Sequence, residues 1–160
     1  MAINVLFVCL GNICRSPTAH GVFEKRVAEA GLANHIYIDS AATGSFHVGS
    51  SPDPRTQRAA AARGYDLSAQ RARQVTPEDF QQFDFILPMD RMNLGNLKAM
   101  KPAGYTGQLS LFMDFSRQRQ YGQVPDPYSG GVDGFELVLD LVEDASDGLL
   151  AHIRRENLRV

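Results

Sequence analysis

Cys9 and Arg15 stand six positions apart, and the residue types between them suit a cradle for an oxyanion. The segment reads Cys9-Leu10-Gly11-Asn12-Ile13-Cys14-Arg15-Ser16. Its glycine and asparagine both tolerate tight or left-handed backbone. Such a loop can curl until successive backbone N–H groups converge on its centre, which makes an anion nest. Arg15 then offers a planar fork to two phosphate-type oxygens. The same positive surroundings favour the thiolate of Cys9, and a thiolate beneath a bound phosphate is set for in-line attack on phosphorus. The bland alternative makes Cys9 a small core residue and Arg15 a solvated charge at a helix end. The loop is not the nucleotide-binding Gly-x4-Gly-Lys-Ser/Thr pattern, since no such lysine follows.

Cleaving a phosphate ester also requires a proton for the leaving oxygen, which calls for a carboxylic acid beside the site. Residues 116–131 show neither helical nor strand periodicity, and a loop of that length in a compact domain is often functional. Asp126 lies in it between Pro125 and Pro127, which stiffen its backbone. Tyr128 stands two residues on and could pack against an aromatic leaving group. A plain turn is the competing reading, because Asp and Pro are both turn formers.

These residues need elements to hold them. Residues 3–9 form a nearly continuous apolar run, the pattern of a strand buried on both faces, and Cys9 is its last residue. Ser16-Pro17 reads as an N-cap followed by proline at the first helical position. Ala19, Val22, Phe23, Val27 and Ala30 then recur at helical spacing up to Gly31. Residues 35–39 read as a second strand. Asp53-Pro54 opens an alanine-rich helix that stops at Gly64, and Thr76 to Asp79 starts a short one. Residues 85–87 read as a third strand, with Asp90 capping the helix after it, and residues 108–112 as a short fourth. The last helix begins near Asp133, with Glu136 in a capping-box-like position. This alternation predicts an α/β fold: one domain over residues 1–160, an open twisted parallel sheet with helices on both faces. Ligands in such folds bind beyond the carboxyl ends of the strands, where Cys9 lies.

Composition narrows the partners. The hydrophobic fraction of 44% and charged fraction of 21% suit a soluble globular chain. The net charge of -2 gives no general argument for nucleic acid or an anionic membrane, and no apolar run approaches a bilayer span. The N-terminus lacks a basic start and runs straight into a core strand, so it does not read as a signal peptide. Two closely spaced cysteines are too few for a secreted disulfide framework, which points to a reducing, cytoplasmic compartment. The histidines lack metal-ligand spacing, so neither a metal nor another cofactor is expected.

The loop Cys9 to Pro17, paired with Asp126-Pro127-Tyr128, resembles the low-molecular-weight protein tyrosine phosphatases. The likeness covers essentially the whole chain and includes Asp39-Ser40-Ala41, Val48-Gly49, Ser51 to Arg55, Arg71-Ala72-Arg73 and Met89-Asp90. It implies that family's four-stranded sheet, in the order 2-1-3-4. It implies hydrolysis of phosphotyrosine proteins through a phosphocysteine intermediate, with phosphate or similar oxyanions as ligands. Cys9 would be the nucleophile, Arg15 the phosphate and transition-state ligand, and Asp126 the acid and then the base. Leu10, Gly11, Asn12, Ile13, Cys14 and Ser16 would surround the substrate, with Phe46 and Tyr128 as cleft walls. Asn12, Ser16 and Ser40 would hold the loop in shape. Cys14 matches a second loop cysteine able to form a reversible disulfide with the nucleophile, with simple packing as the alternative.

Three positions depart from the family pattern. Gln70 stands where many relatives carry a loop-supporting histidine, Phe46 where they often carry tryptophan, and Ser129 where some carry a second tyrosine. Elsewhere, His20, His35 and His152 read as solvated or capping residues, and Asp90 as a helix cap that could also face the phosphate loop. Arg63, Arg71, Arg73, Arg117 and Arg119 read as surface charges, the last two near enough to the acid loop to attract an anion. Two rivals remain. An arsenate reductase of the same fold would need more cysteines than Cys9 and Cys14. An intact Arg15 and Asp126 argue against both that enzyme and a non-catalytic phosphate-binding or phosphocarrier module.

Overall fold

The computed structural model describes residues 2–118 and 120–158. Strand β1 spans Ile3–Cys9, and its alternate side chains feed two separate cores. Val5, Phe7 and Cys9 face one side, where α1 (Arg15–Glu29) contributes Val22 and Phe23, and α5 (Val132–Ile153) contributes Leu139 and Val142. Leu6 and Val8 face the other side, against Phe80 of α3 (Asp79–Gln82) and Leu97 of α4 (Arg91–Met100). That two-sided burial is why the run is apolar throughout rather than alternating.

The four strands pair in parallel in the order β2-β1-β3-β4, as expected, with β2 at Ile36–Ala42, β3 at Phe85–Pro88 and β4 at Gln108–Leu109. Strand β1 sits between β2 and β3, so the chain leaves its carboxyl end toward one side and returns on the other. Cys9 lies in register with Ala42 of β2, at the mouth of the crevice that this reversal opens. Helix α2 (Pro54–Ala62) is capped by Asp53, whose carboxylate accepts from the Arg55 N–H at 2.8 Å.

Four local expectations change. Helix α1 begins at Arg15, with Cys14 rather than Ser16 in the N-cap position and no side-chain cap. Pro17 is tolerated because the first-turn N–H groups need no intrahelical partner. Strand β4 stops at Leu109, since Phe112 turns into the core edge-on to Phe7 at 5.0 Å, and residues Phe112–Phe115 form a 3-10 turn. Helix α5 starts at Val132 after Gly131 without a capping box, because Glu136 reaches instead to Arg63 at 2.8 Å. His152 packs edge-on to Phe85 and Phe115 rather than serving as a solvated or capping residue. Among the described residues no helix is long and apolar enough to cross a membrane.

Candidate active site

The segment after β1 closes into a loop because Asn12 adopts a left-handed backbone, φ 57°. Asparagine takes that conformation at lower cost than most side chains. The turn brings the Asn12 N–H to 3.2 Å and the Ser16 N–H to 3.5 Å from Cys9 Sγ. Ser16 Oγ lies 3.0 Å from the same sulfur. Two amides and a hydroxyl therefore converge on one sulfur at the N-terminus of a fifteen-residue helix, an arrangement that favours negative charge.

Asn12 holds this shape from behind. Its Nδ2 donates to Ser16 Oγ at 2.8 Å and to Ser40 Oγ at 3.0 Å, while its Oδ1 accepts from the Arg73 N–H at 3.1 Å. The three expected supports, Asn12, Ser16 and Ser40, are thus brought together, and all are buried. Arg73 is not a plain surface charge. It donates two hydrogen bonds of 3.0 Å to the buried Asp79 and one of 3.1 Å to Asp39, tying the segment after α2 to α3 and β2.

Arg15 is 3% exposed, so its guanidinium needs partners. Nη1 donates to Asp90 Oδ2 at 2.6 Å and to the Val124 carbonyl at 3.1 Å, and Nη2 lies 3.7 Å from Asp126 Oδ2. Asp90 has two tasks. Its Oδ1 caps α4 through the Asn93 N–H at 2.8 Å, as expected, and its Oδ2 holds Arg15, so that the two readings of Asp90 hold together. Val124 had no sequence signal at all. It docks the acid loop onto the end of β3 by donating its N–H to the Met89 carbonyl at 2.8 Å.

Asp126 stands across the opening from Cys9. The Tyr128 N–H donates to its Oδ1 at 3.0 Å. A cleft of about 380 Å³ separates the two loops. Cys9, Leu10, Gly11, Ile13, Cys14 and Arg15 form its floor and near side, and Phe46, His47, Asp126 and Tyr128 its rim. Phe46 is 74% exposed, whereas Cys9 is 3% exposed, so the sulfur lies at the bottom of an aromatic-rimmed hole. A Cβ at Gly44 would lie 2.6 Å from the exposed Phe46 ring, so a side chain there would push that ring aside. His47 joins the rim with its ring 6.3 Å from that of Tyr128, a contribution that only its place beside Phe46 could have suggested. Arg55 lies over Tyr128 at 5.3 Å and over Phe135 at 4.9 Å while pairing with Asp53 at 2.8 Å.

Cys14 is buried, and burial pushes its thiol up to about 11, with the neighbouring charge of Asp53 adding to the effect. It stays a neutral thiol at physiological pH. Arg117 lines a hollow with Arg154 and Arg155 beside the far end of α5, away from the cleft, and Arg119 lies outside the described residues. Arg63 clamps α2 to α5 through Glu136, Asp140 and Glu143. His35 is exposed and Arg71 is exposed, as expected for solvated residues. Among the described residues no group of three His, Cys, Asp or Glu side chains gathers in position to hold a metal.

Comparison with known proteins gives this geometry its setting. The family model described as low molecular weight phosphotyrosine protein phosphatase matches residues 4–159. A Synechocystis chain carrying the low molecular weight protein-tyrosine-phosphatase name is 47% identical over 155 residues, spanning 96% of this chain and 98% of that one. A Schizosaccharomyces pombe low molecular weight phosphotyrosine protein phosphatase is 46% identical over 143 residues, 88% of this chain and 91% of its own. The crystal structure of an Entamoeba histolytica protein tyrosine phosphatase, with Hepes in its active site, superposes with a TM-score of 0.92. It is 38% identical and covers 99% of this chain and 100% of that one. On its sequence, its sheet order and the loop that gathers donors around Cys9, this chain belongs to the low molecular weight phosphotyrosine protein phosphatase family.

Proposed function

We propose that the chain hydrolyses phosphotyrosine in proteins, with Cys9 as nucleophile, Arg15 as phosphate ligand and Asp126 as acid and base. The observation that carries this reading is the convergence of two N–H groups and the Ser16 hydroxyl on Cys9 Sγ, with Arg15 beside it and Asp126 across the cleft. In the first step the Cys9 thiolate bonds to phosphorus as the bond to the phenolic oxygen breaks. Asp126 gives that oxygen its proton. In the second step water attacks the phosphocysteine and Asp126 takes the water's proton. The phosphorus–sulfur bond breaks, and its electron pair returns to Cys9. Arg15 and the loop amides Leu10 to Arg15 hold the equatorial oxygens throughout.

Depth supports the aryl substrate. A phosphate seated over Cys9 is reached by a long flat tyrosine ring past Phe46 and Tyr128 more easily than by a short serine side chain. Cys14, close behind in the same loop, is the partner proposed for a reversible disulfide with Cys9 under oxidation. Two free cysteines suit a reducing cytoplasm, and the net charge of -2 suits a protein that engages neither nucleic acid nor an anionic membrane. The arsenate-reductase and phosphocarrier alternatives leave Asp126 without a role.

Hydrolysis of an aryl phosphate at pH 5–7 without added metal is the direct test. Cys9→Ser is expected to abolish turnover while the protein stays folded. Turnover that survives this change would end the reading. Phosphoserine peptides hydrolysed as fast as phosphotyrosine peptides would end the substrate assignment alone.

A further inference from the structure

We propose that His20, on the first turns of α1, is a positioning residue for the reaction at Cys9, acting through Ser40 and Asn12. Proton bookkeeping leads to it. The two Nδ2 hydrogens of Asn12 are both committed, one to Ser16 Oγ and one to Ser40 Oγ. Ser16 Oγ, having accepted, has its single hydrogen left for Cys9 Sγ at 3.0 Å. Ser40 Oγ, having accepted in the same way, needs an acceptor for its own hydrogen. His20 Nδ1 lies 3.3 Å away. Acceptance there requires the tautomer with its hydrogen on Nε2, and Glu24 lies 3.5 Å from Nε2 to receive it. The hydrogen bond from His20 holds the Glu24 carboxyl below its usual range, which keeps it an acceptor.

Gln70, on the segment after α2, does not do this work. Gln70 Nε2 donates to the Pro17 carbonyl at 3.1 Å, and its buried Oε1 has no partner among the described residues. The imidazole comes instead from α1. It faces a polar hollow of about 340 Å³ shared with Asp39 of β2 and with Asp66 and Arg71 of the segment after α2.

The consequence falls on the second chemical step, and so it rests on the Cys9 reading above. When water displaces sulfur from phosphorus, the Ser16 hydroxyl stabilises the departing Cys9 thiolate. Without His20, the Ser40 hydroxyl loses its acceptor and turns toward Asn12. Asn12 then no longer fixes Ser16 as a donor to sulfur.

Steady-state kinetics with an aryl phosphate, combined with acid-quench trapping of phosphoenzyme, tests this. His20→Ala is expected to lower kcat roughly 5- to 10-fold. KM should fall in parallel, and the trapped phosphoenzyme should rise. His20→Asn places an acceptor near the position of Nδ1 and should recover most of the rate. Adding His20→Ala to Ser40→Ala should cost little more than Ser40→Ala alone. Unfolding midpoints measured on the same samples separate these effects from lost folding. Wild-type kcat in His20→Ala would overturn the inference. So would an equal loss of kcat and kcat/KM that His20→Asn does not repair. Turnover that survives Cys9→Ser would instead overturn the Cys9 reading.

Discussion

Cys9 and Asp126 face each other across one cleft, but the loops that carry them are held very differently. Cys9 is 3% exposed, and its sulfur has three protein groups around it. Behind it Asn12, Ser16, Ser40 and Arg73 form a network in which every Asn12 polar side-chain group is engaged. The Asp126 side chain is 46% exposed, and its loop rests on a few anchors. Ser116 donates to Asp144 at one end, Val124 docks on Met89 in the middle, and Gln123 accepts from the Arg91 N–H at 2.9 Å. The contrast suits the two proposed tasks. A phosphate cradle gains from donors fixed before substrate arrives, because no reorganisation is then needed as charge develops. An acid must reach a leaving oxygen whose place depends on the substrate, so a thinner hold suits it.

The largest expected effect breaks the acid side alone. Asp126→Ala should lower kcat for phosphotyrosine by about 10²–10⁴-fold. Competitive inhibition by phosphate or vanadate should stay near the wild-type value, because the cradle is built without Asp126. Loss of inhibitor binding would mean that Asp126 supports the cradle. The next effect breaks the join between the loops. Asp90→Ala leaves the buried Arg15 without its 2.6 Å partner. A misplaced fork should cost about 10- to 100-fold in kcat/KM and weaken phosphate binding with it. Asp90→Asn keeps an acceptor and should recover part of the loss. An unchanged phosphate affinity in Asp90→Ala would show that Val124 alone holds Arg15.

These contacts also mark what a chain of letters can disclose. Cys9 and Arg15 were legible because the strand pattern, the Gly-Asn turn and the arginine are local and contiguous. Asp126 was marked by the two prolines that bracket it, but a plain turn fitted the same spacing, and the family resemblance singled it out. For Asp90 a place facing the phosphate loop was one of two readings, but its pairing with Arg15 was not legible, because it joins residues 75 positions apart whose meeting depends on β3 lying beside β1. Val124 acts through its backbone, which no residue type signals. His20 read as bland because its partner, Ser40, lies on a different element and becomes a neighbour only once α1 packs beside β2. The α1 start shifted by two residues for a local reason: proline is compatible with any position in the first turn, so Ser16-Pro17 fixes the turn and not the residue.

A third prediction compares the two cysteines. Burial raises the Cys14 thiol from 9.0 to about 11 in the folded chain. The folded state therefore keeps a proton that the unfolded state loses above pH 9. Stability from this source is fully present below about pH 9 and is lost as pH rises toward about 11. A difference of that size corresponds to about 3 kcal/mol. Urea unfolding from pH 8 to 11 should show a steeper fall in the wild type than in Cys14→Ala. Equal slopes would mean that Cys14 is reached by solvent. Alkylation at pH 7 should modify Cys9 and leave Cys14 intact, read by peptide mass.

The smallest effect sharpens the comparison at the rim. Arg55 touches both sides of the cleft: its guanidinium lies over Tyr128 on the acid loop, and it pairs with Asp53. The Asp53 N–H in turn donates to the Ile13 carbonyl of the phosphate loop at 2.9 Å. Tyr128 is half exposed, and the cation lies 5.3 Å from its ring centre, an attraction that favours the ring's present angle. Arg55→Gln removes that cation and leaves the cradle's own bonds in place. KM for an aryl phosphate should rise roughly threefold, with little change in kcat and none in phosphate inhibition. In a Tyr128→Ala background, Arg55→Gln should have little further effect, because the two side chains act as one wall. If Arg55→Gln instead weakens phosphate binding, Asp53 transmits the change into the phosphate loop. The two sides of the cleft would then be one mechanical unit rather than a fixed cradle facing a separately held acid.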